Sequence, residues 1–247
     1  MKNSFGNNFP IVNLYQKKSI RSPIDTQLLY GDNFKIIKKN KNWKKIKIKK
    51  DGYVGYIKNK NFTKPIIPNY KISTLKARLF NKPDSKKKLN KFLPYDSRIK
   101  ILEKKRNFVR FNKYWIKISD IKKISSKNRN IFKDVKIFKN IRYLWGGKSY
   151  KGIDCSALVQ IFFNHNNKYC PRDSKDQEKF FKKKVKIKNI KRNDMIFWKG
   201  HVAIVLSKKK LIHAYGPMKK VVVMDIKKTI ERIKRTANLK ITSIRRY

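Results

Sequence analysis

Hydrophobic residues alternate with lysines through the first half of the chain, and turn residues cut the alternation at short intervals. "FKIIKK" (Phe34 to Lys39), "WKKIKIK" (Trp43 to Lys49) and "YVGYIK" (Tyr53 to Lys58) read as strands separated by Asn40–Asn42 and Asp51–Gly52. A period of two puts the apolar side chains on one face and the lysines on the other. Asp-Gly is a strong hairpin signal. A second series follows: "ISTLKARLF" (Ile72 to Phe80), "SRIKILEKK" (Ser97 to Lys105), "FVRFN" (Phe108 to Asn112) and "YWIKISDI" (Tyr114 to Ile121). The two series have comparable length and spacing and look like two copies of one small barrel. The proline-bearing "KPIIPN" (Lys64 to Asn69) is the expected linker. These signals divide the chain into two small all-β domains, 1–67 and 68–126, and a third domain, 127–247.

The third domain has a different rhythm. "FKDVKIFKN" (Phe132 to Asn140) predicts a short helix, and "CSALVQIFFNHN" a mostly buried one after a glycine-rich turn. "DSKDQEKFFKKK" (Asp173 to Lys184) carries a helix start at Asp173 or Ser174. "NDMIFWKGHVAIVLSKKKLIHAYG" (Asn193 to Gly216) reads as strand, hairpin, strand. "DIKKTIERIKRTA" (Asp225 to Ala237) is amphipathic, with Ile226, Ile230 and Ile233 on one side, and "LKITSIRRY" is a closing strand. The fold class is α+β: a helix bearing a cysteine, then an antiparallel sheet bearing histidines.

Composition sets the limits. The chain has 247 residues, 40% hydrophobic and 13% aromatic, which is a globular profile. Two cysteines, Cys155 and Cys170, form no disulfide framework and read as free thiols in a reducing compartment. A formal net charge of +52 would suit a polyanion such as nucleic acid or an anionic membrane. Yet Lys, Asn and Ile dominate throughout, all three have A/T-rich codons, and the lysines are spread along the whole chain. The charge is therefore read as compositional, and nucleic acid is expected to adhere only non-specifically and at low salt. "MKNSFGNNFPIVNLYQ" lacks an apolar core for a secretory signal. No stretch approaches the roughly 18 apolar residues of a membrane span. With Met1 as the true start, the expected location is cytoplasmic.

The candidate chemistry centres on "YLWGGKSYKGIDCSALVQ" (Tyr143 to Gln160). Asp154 is a good N-cap, which puts Cys155 at the first helical position. Free N–H groups and the helix dipole there are expected to favour thiolate over thiol. A peptidase nucleophile also needs a base and an orienting group. The chain has three histidines, and two of them, His201 in "HVAIVL" and His213 in "LIHAY", lie on strands joined by a hairpin at Ser207–Lys210. Whether both face one side depends on the turn length or a bulge, which the sequence does not fix. A Cys155–His201–His213 triad follows, with His201 as base and His213 holding its tautomer. A zinc site from His201, His213 and Cys170 is the competing reading, but no paired ligand spacing accompanies it. His165 lies ten residues beyond Cys155, roughly three helical turns away, and reads as a helix-end residue. Cys170 reads as structural.

These motifs, with "CPRDSKDQ" (Cys170 to Gln177), resemble the NlpC-type cysteine peptidases of bacteria over about Asn128 to Tyr247. The resemblance implies a papain-like catalytic domain acting on peptidoglycan stem peptides. The two small barrels resemble bacterial SH3-like domains, and "DTQLLYGDNF" (Asp25 to Phe34) is similar to a signature of one subgroup's first such domain. That subgroup cleaves γ-D-glutamyl-L-diamino acid bonds in released wall peptides with a free N-terminal L-Ala. Carried over, Cys155 is the nucleophile, His201 the base and His213 the orienting group. Tyr143 would help bind the oxyanion beside the Cys155 N–H. Asp154, Ser156, Asp173 and Ser174 would line the substrate groove, and Asp32 would meet the terminal amine, with Tyr53 or Tyr56 assisting. Two departures stand out: Ala157 replaces the usual glycine after Cys-Ser, and Asp32 replaces a glutamate. The resemblance implies peptidoglycan-derived peptides as partners and no metal or cofactor. Alternatives from other classes are a wall hydrolase tethered by its SH3-like domains, an acyltransferase on the same core and a basic nucleic-acid-binding module.

Overall fold

The computed structural model describes residues 4–247, in two compact units divided between Lys127 and Asn128. The first unit is all β. Strands β1 (Ser4–Gly6), β2 (Ile11–Tyr15), β3 (Ile24–Leu29), β4 (Asn33–Lys39), β5 (Trp43–Ile48) and β6 (Val54–Lys58) form one sheet in the order β1-β4-β5-β6-β2-β3. A second set follows: β7 (Tyr70–Ile72), β8 (Lys76–Phe80), β9 (Lys88–Pro94), β10 (Arg98–Ile99), β11 (Glu103–Lys105), β12 (Phe108–Phe111), β13 (Tyr114–Lys117) and β14 (Ile121–Lys123). These form the sheets β10-β7-β14 and β11-β12-β13-β8-β9.

The pairing repeats strand for strand. β2 pairs with β3 and β6, as β8 pairs with β9 and β13. β1 pairs with β4 and bridges from Gly6 to Thr63, as β7 pairs with β10 and β14. The continuous β4 of the first set is split into β10 and β11 in the second. Several long strands expected from the pattern are therefore broken: Ile72 to Phe80 is β7 and β8, Ser97 to Lys105 is β10 and β11, and Tyr114 to Ile121 is interrupted by a 3-10 turn at Ile118–Asp120. Alternation persists across each break because one chain segment serves two sheets. Each set closes over its own apolar cluster. Leu14, Leu28, Phe34, Ile46 and Ile57 fill the first, and Ile72, Leu79, Leu93, Phe111 and Ile116 the second. The Asp51–Gly52 turn forms as expected, with Gly52 at φ +76° and the Tyr53 N–H donating to the Asp51 side chain. Gly31 is a glycine of necessity: its φ is +85°, and a Cβ there would stand 2.1 Å from the Arg98 carbonyl oxygen.

The second unit carries β15 (Lys148–Ser149), β16 (Gly152–Ile153), α1 (Cys155–His165), α2 (Ser174–Phe180), β17 (Lys183–Lys184), β18 (Met195–Trp198), β19 (His201–Val205), β20 (Lys210–Tyr215), β21 (Lys220–Asp225), α3 (Ile226–Ala237) and β22 (Ile241–Arg246). Its main sheet has the order β17-β22-β18-β19-β20-β21. Every residue of α1 is buried, and the helix packs on β19 and β20. α3 is capped by the Asp225 side chain and buries Ile226, Thr229 and Ile233. The helix expected over Phe132 to Asn140 is only a 3-10 turn, Val135–Phe138. Four residues cannot offset helix nucleation, and burial of Val135 and Phe138 holds the turn instead. No helix among the described residues is long and apolar enough to cross a membrane.

Candidate active site

The helix start at Cys155 is built by Asp154. Its Oδ1 accepts the Ala157 N–H at 2.8 Å, and its Oδ2 accepts the Gly146 N–H at 2.9 Å. One carboxylate thus caps α1 and ties the glycine turn to it. Arg172 holds the same carboxylate from the other side, Nη1 to Oδ1 at 3.0 Å and Nη2 to Oδ2 at 2.5 Å, and donates to Ser156 Oγ at 2.9 Å. Gln177 of α2 donates to the Ser156 and Pro171 carbonyls, both at 2.9 Å, and Gln160 of α1 donates to the Cys170 carbonyl at 3.0 Å. The segment from Cys170 to Gln177 is stapled to the first helix in this way. Breaking one partner out of a buried pair such as Asp154–Arg172 typically costs about 3–5 kcal/mol.

The helix that Cys155 opens packs on β19 and β20, the strands that carry His201 and His213. The β19–β20 register pairs Ile204 with Ile212 and Val205 with Leu211. Continued three residues further, it would set His201 opposite Tyr215 and put His213 on the same face. His201 Nε2 lies 2.8 Å from His213 Nδ1, and the His213 ring stacks on Tyr215 at 4.7 Å between centroids. The same-face question left by the sequence is answered by the contact between the two rings. Tyr143 is fixed by its N–H to the Lys219 carbonyl at 2.8 Å and by a parallel bridge to Ile153. Burial, with the nearby Cys155 and Asp154, pushes its phenol well above its ordinary range, so the hydroxyl remains a donor.

The expected thiolate is not found. The Cys155 thiol is pushed up to about 12, first by burial and then by the Asp154 carboxylate, with the Val202 N–H and Arg172 opposing. Burial brings His201 down to about 4 and His213 well below its ordinary value, His201 adding to the latter. Burial thus favours the neutral form of the thiol and of both imidazoles.

Of the other residues singled out, Ser156 is buried at the second position of α1 and Ser174 at the first position of α2. Asp173 is half-buried before α2, and burial raises its carboxyl. Ala157 is fully buried in the first turn of α1. Asp32, Tyr53 and Tyr56 belong to the first unit. Asp32 is buried, accepts the Leu29 N–H at 2.8 Å, and stands 3.9 Å from Lys50 Nζ, which pairs more closely with Asp96 at 2.8 Å. Tyr53 packs at the edge of the first cluster, and Tyr56 is half-buried opposite Tyr15 with Lys18 and Lys45 over its ring. Arg172, Gln177 and Met224 escaped the sequence reading. Nothing local separates Arg172 from the other 66 Lys and Arg residues. The one signal for Met224 is its place in an apolar run following the histidine strand.

The NlpC/P60 family profile matches residues 140–237, and that of the bacterial dipeptidyl-peptidase Sh3 domain matches residues 14–62. The C-terminal unit is an NlpC/P60 domain. With this domain the chain is a cysteine peptidase, and it joins the papain-like fold to an N-terminal SH3 domain. A Bacillus subtilis protein named Gamma-D-glutamyl-L-lysine dipeptidyl-peptidase is 25% identical over 232 residues, covering 84% of this chain and 77% of that protein. A Bacillus cereus protein of the same name is 24% identical over 225 residues, covering 77% and 67%. A crystal structure of an NlpC/P60 family protein from Bacillus cereus matches in fold with a TM-score of 0.83 over 99% of both chains, at 19% identity.

Proposed function

We propose that this NlpC/P60 peptidase cleaves the γ-D-Glu–diamino acid bond of free peptidoglycan stem peptides with an unblocked N-terminal L-Ala, and so serves recycling of wall-derived peptides in the cytoplasm. The observation that carries the chemistry is the His201–His213 contact at 2.8 Å, on strands that pack against the helix opened by Cys155. The substrate class is supported by the names of the two relatives that match along most of the chain. A dipeptidyl-peptidase releases an N-terminal pair of residues, and chemistry of that kind has to read a free amine. Both cysteines being free thiols accords with a reducing compartment.

In this reading the Cys155 proton passes to His201 as the sulfur attacks the γ-D-Glu carbonyl. The Cys155 N–H and the Tyr143 hydroxyl receive the developing oxyanion. The diamino acid amine leaves with the proton from His201, and water, deprotonated by His201, releases L-Ala-γ-D-Glu from the thioester. Because thiol and imidazole start neutral, proton transfer accompanies attack rather than preceding it. Asp154, Ser156, Asp173 and Ser174 are proposed to line the groove, and Asp32 to pair with the terminal ammonium, with Tyr53 or Tyr56 assisting. Such a ligand would compete with Lys50 for that carboxylate.

The test is incubation under reducing conditions with L-Ala-γ-D-Glu-meso-diaminopimelate and with its N-acetyl form. A charge-assisted bond contributes about 1.5–3 kcal/mol, so the free peptide should turn over roughly ten- to a hundred-fold faster. Equal rates would remove amine recognition. Cleavage of neither peptide, by protein that is folded and reduced, would remove the endopeptidase assignment.

A further inference from the structure

We infer that the thioether of Met224 is a positioning residue that sets the tautomers of the His201–His213 pair. The inference rests on the roles proposed above for Cys155 and His201. β20 and β21 pair His213 with Val222 and Leu211 with Met224. Met224 therefore stands two residues from Val222 and shares the face of the His213 ring. Its sulfur lies 3.4 Å from His213 Nε2, while His213 Nδ1 meets His201 Nε2 at 2.8 Å.

The proton positions follow from what each atom can do. A thioether sulfur accepts but has no hydrogen to give. The contact at 3.4 Å is therefore a bond only when His213 Nε2 carries the hydrogen and donates it. A neutral imidazole has one N–H, so His213 Nδ1 is then bare and must accept. His201 Nε2 must carry the hydrogen that fills it. That leaves His201 Nδ1 with its lone pair, free to take a proton from the thiol. Without an acceptor at Met224, His213 can instead protonate Nδ1 and donate to His201 Nε2. His201 then holds its hydrogen on Nδ1, where the base is needed, and the pair is idle. Burial keeps both rings neutral, so the choice of tautomer is not overridden by protonation.

Met224→Leu keeps the volume and removes the acceptor. Loss of one weak hydrogen bond converts to a drop in kcat of about three- to ten-fold, with KM within about two-fold of wild type. Met224→Gln, whose amide oxygen accepts, should recover most of it. The direct readout is long-range nitrogen–proton NMR on protein labelled at histidine. Wild type should show the hydrogen on Nε2 of both His201 and His213, and Met224→Leu a new Nδ1–H population at His213. Should Met224→Leu fold poorly, replacement of the methionines by norleucine removes the sulfur and keeps the chain length. A His213 tautomer and kcat unchanged when the sulfur is gone would overturn the inference. Cleavage by Cys155→Ala would instead overturn the reading of the site and leave the tautomer result to stand alone.

Discussion

Cys155 occupies a helix position that should favour its anion, yet its thiol is pushed from an ordinary 9.0 up to about 12. That rise corresponds to about 4 kcal/mol against the thiolate. A helix N-terminus offers about 0.3–2 kcal/mol in its favour. Burial therefore wins, and the Asp154 carboxylate that builds the helix start adds to it. The capping position was legible in the sequence, because Asp before an apolar run is a local signal. The charge state was not, because it depends on how completely β19 and the Arg172 segment cover the sulfur. The consequence is measurable by peptide-resolved alkylation with iodoacetamide. Modification of Cys155 should be slow at neutral pH and should still be climbing above about pH 10, where an exposed thiol has levelled off. A rate that is high and flat between pH 6 and pH 8 would mean a stored thiolate–imidazolium pair and would refute the neutral resting state.

The hairpin of β19 and β20 is where one element carries most of the site. Its existence could be read from two apolar runs around Ser207–Lys210, and so could the closeness of the two histidines. Their shared face could not, because shifting the pairing by one residue would turn one ring away. Register is fixed by buried neighbours such as Ile204 and Ile212, which no local pattern reveals. In the first unit, too, local alternation showed the strands but not the points where one segment passes between two sheets. Placing two imidazoles inside the fold has a cost in acid. His201, at about 4, and His213, well below its ordinary value, remain neutral where an unfolded histidine near 6.5 already binds a proton. Between those values the unfolded state binds more protons, so stability is full above about pH 6.5 and falls as pH drops towards 4. Each histidine contributes up to about 1.4 kcal/mol per pH unit in that window. Denaturant melts from pH 7 to pH 4.5 should show the decline for wild type and a shallower one for His213→Gln. Equal slopes would show that the ring is not held neutral by the fold.

Across the whole molecule, 67 basic against 15 acidic side chains leave a net charge of +52. The structure shows how directly that charge meets itself. In the β4–β5 hairpin Lys35 faces Lys47, Lys38 faces Lys45 and Lys39 faces Lys44, and Phe34 to Lys50 contains no acidic residue. Like charges directly opposed on a sheet are destabilising. The apolar side chains between them, Phe34, Ile46 and Ile48, are buried and hold the ladder together against that repulsion. Such strain is electrostatic and local, so it should be relieved in two independent ways. Salt shortens the screening length from about 10 Å at 0.1 M to about 3 Å at 1 M, and the melting temperature of the chain should rise with sodium chloride over that range. Lys39→Glu turns one repulsive pair into an attractive one. At 50 mM salt it should gain about 0.2–1 kcal/mol, a rise of up to a few degrees, and most of that gain should vanish at 1 M. Burial of apolar groups responds to salt alike in both proteins, so the difference between them isolates the charge contribution. A Lys39→Glu protein that melts no higher than wild type at low salt, or gains equally at both, would show that the lysine ladder is already relaxed into solvent.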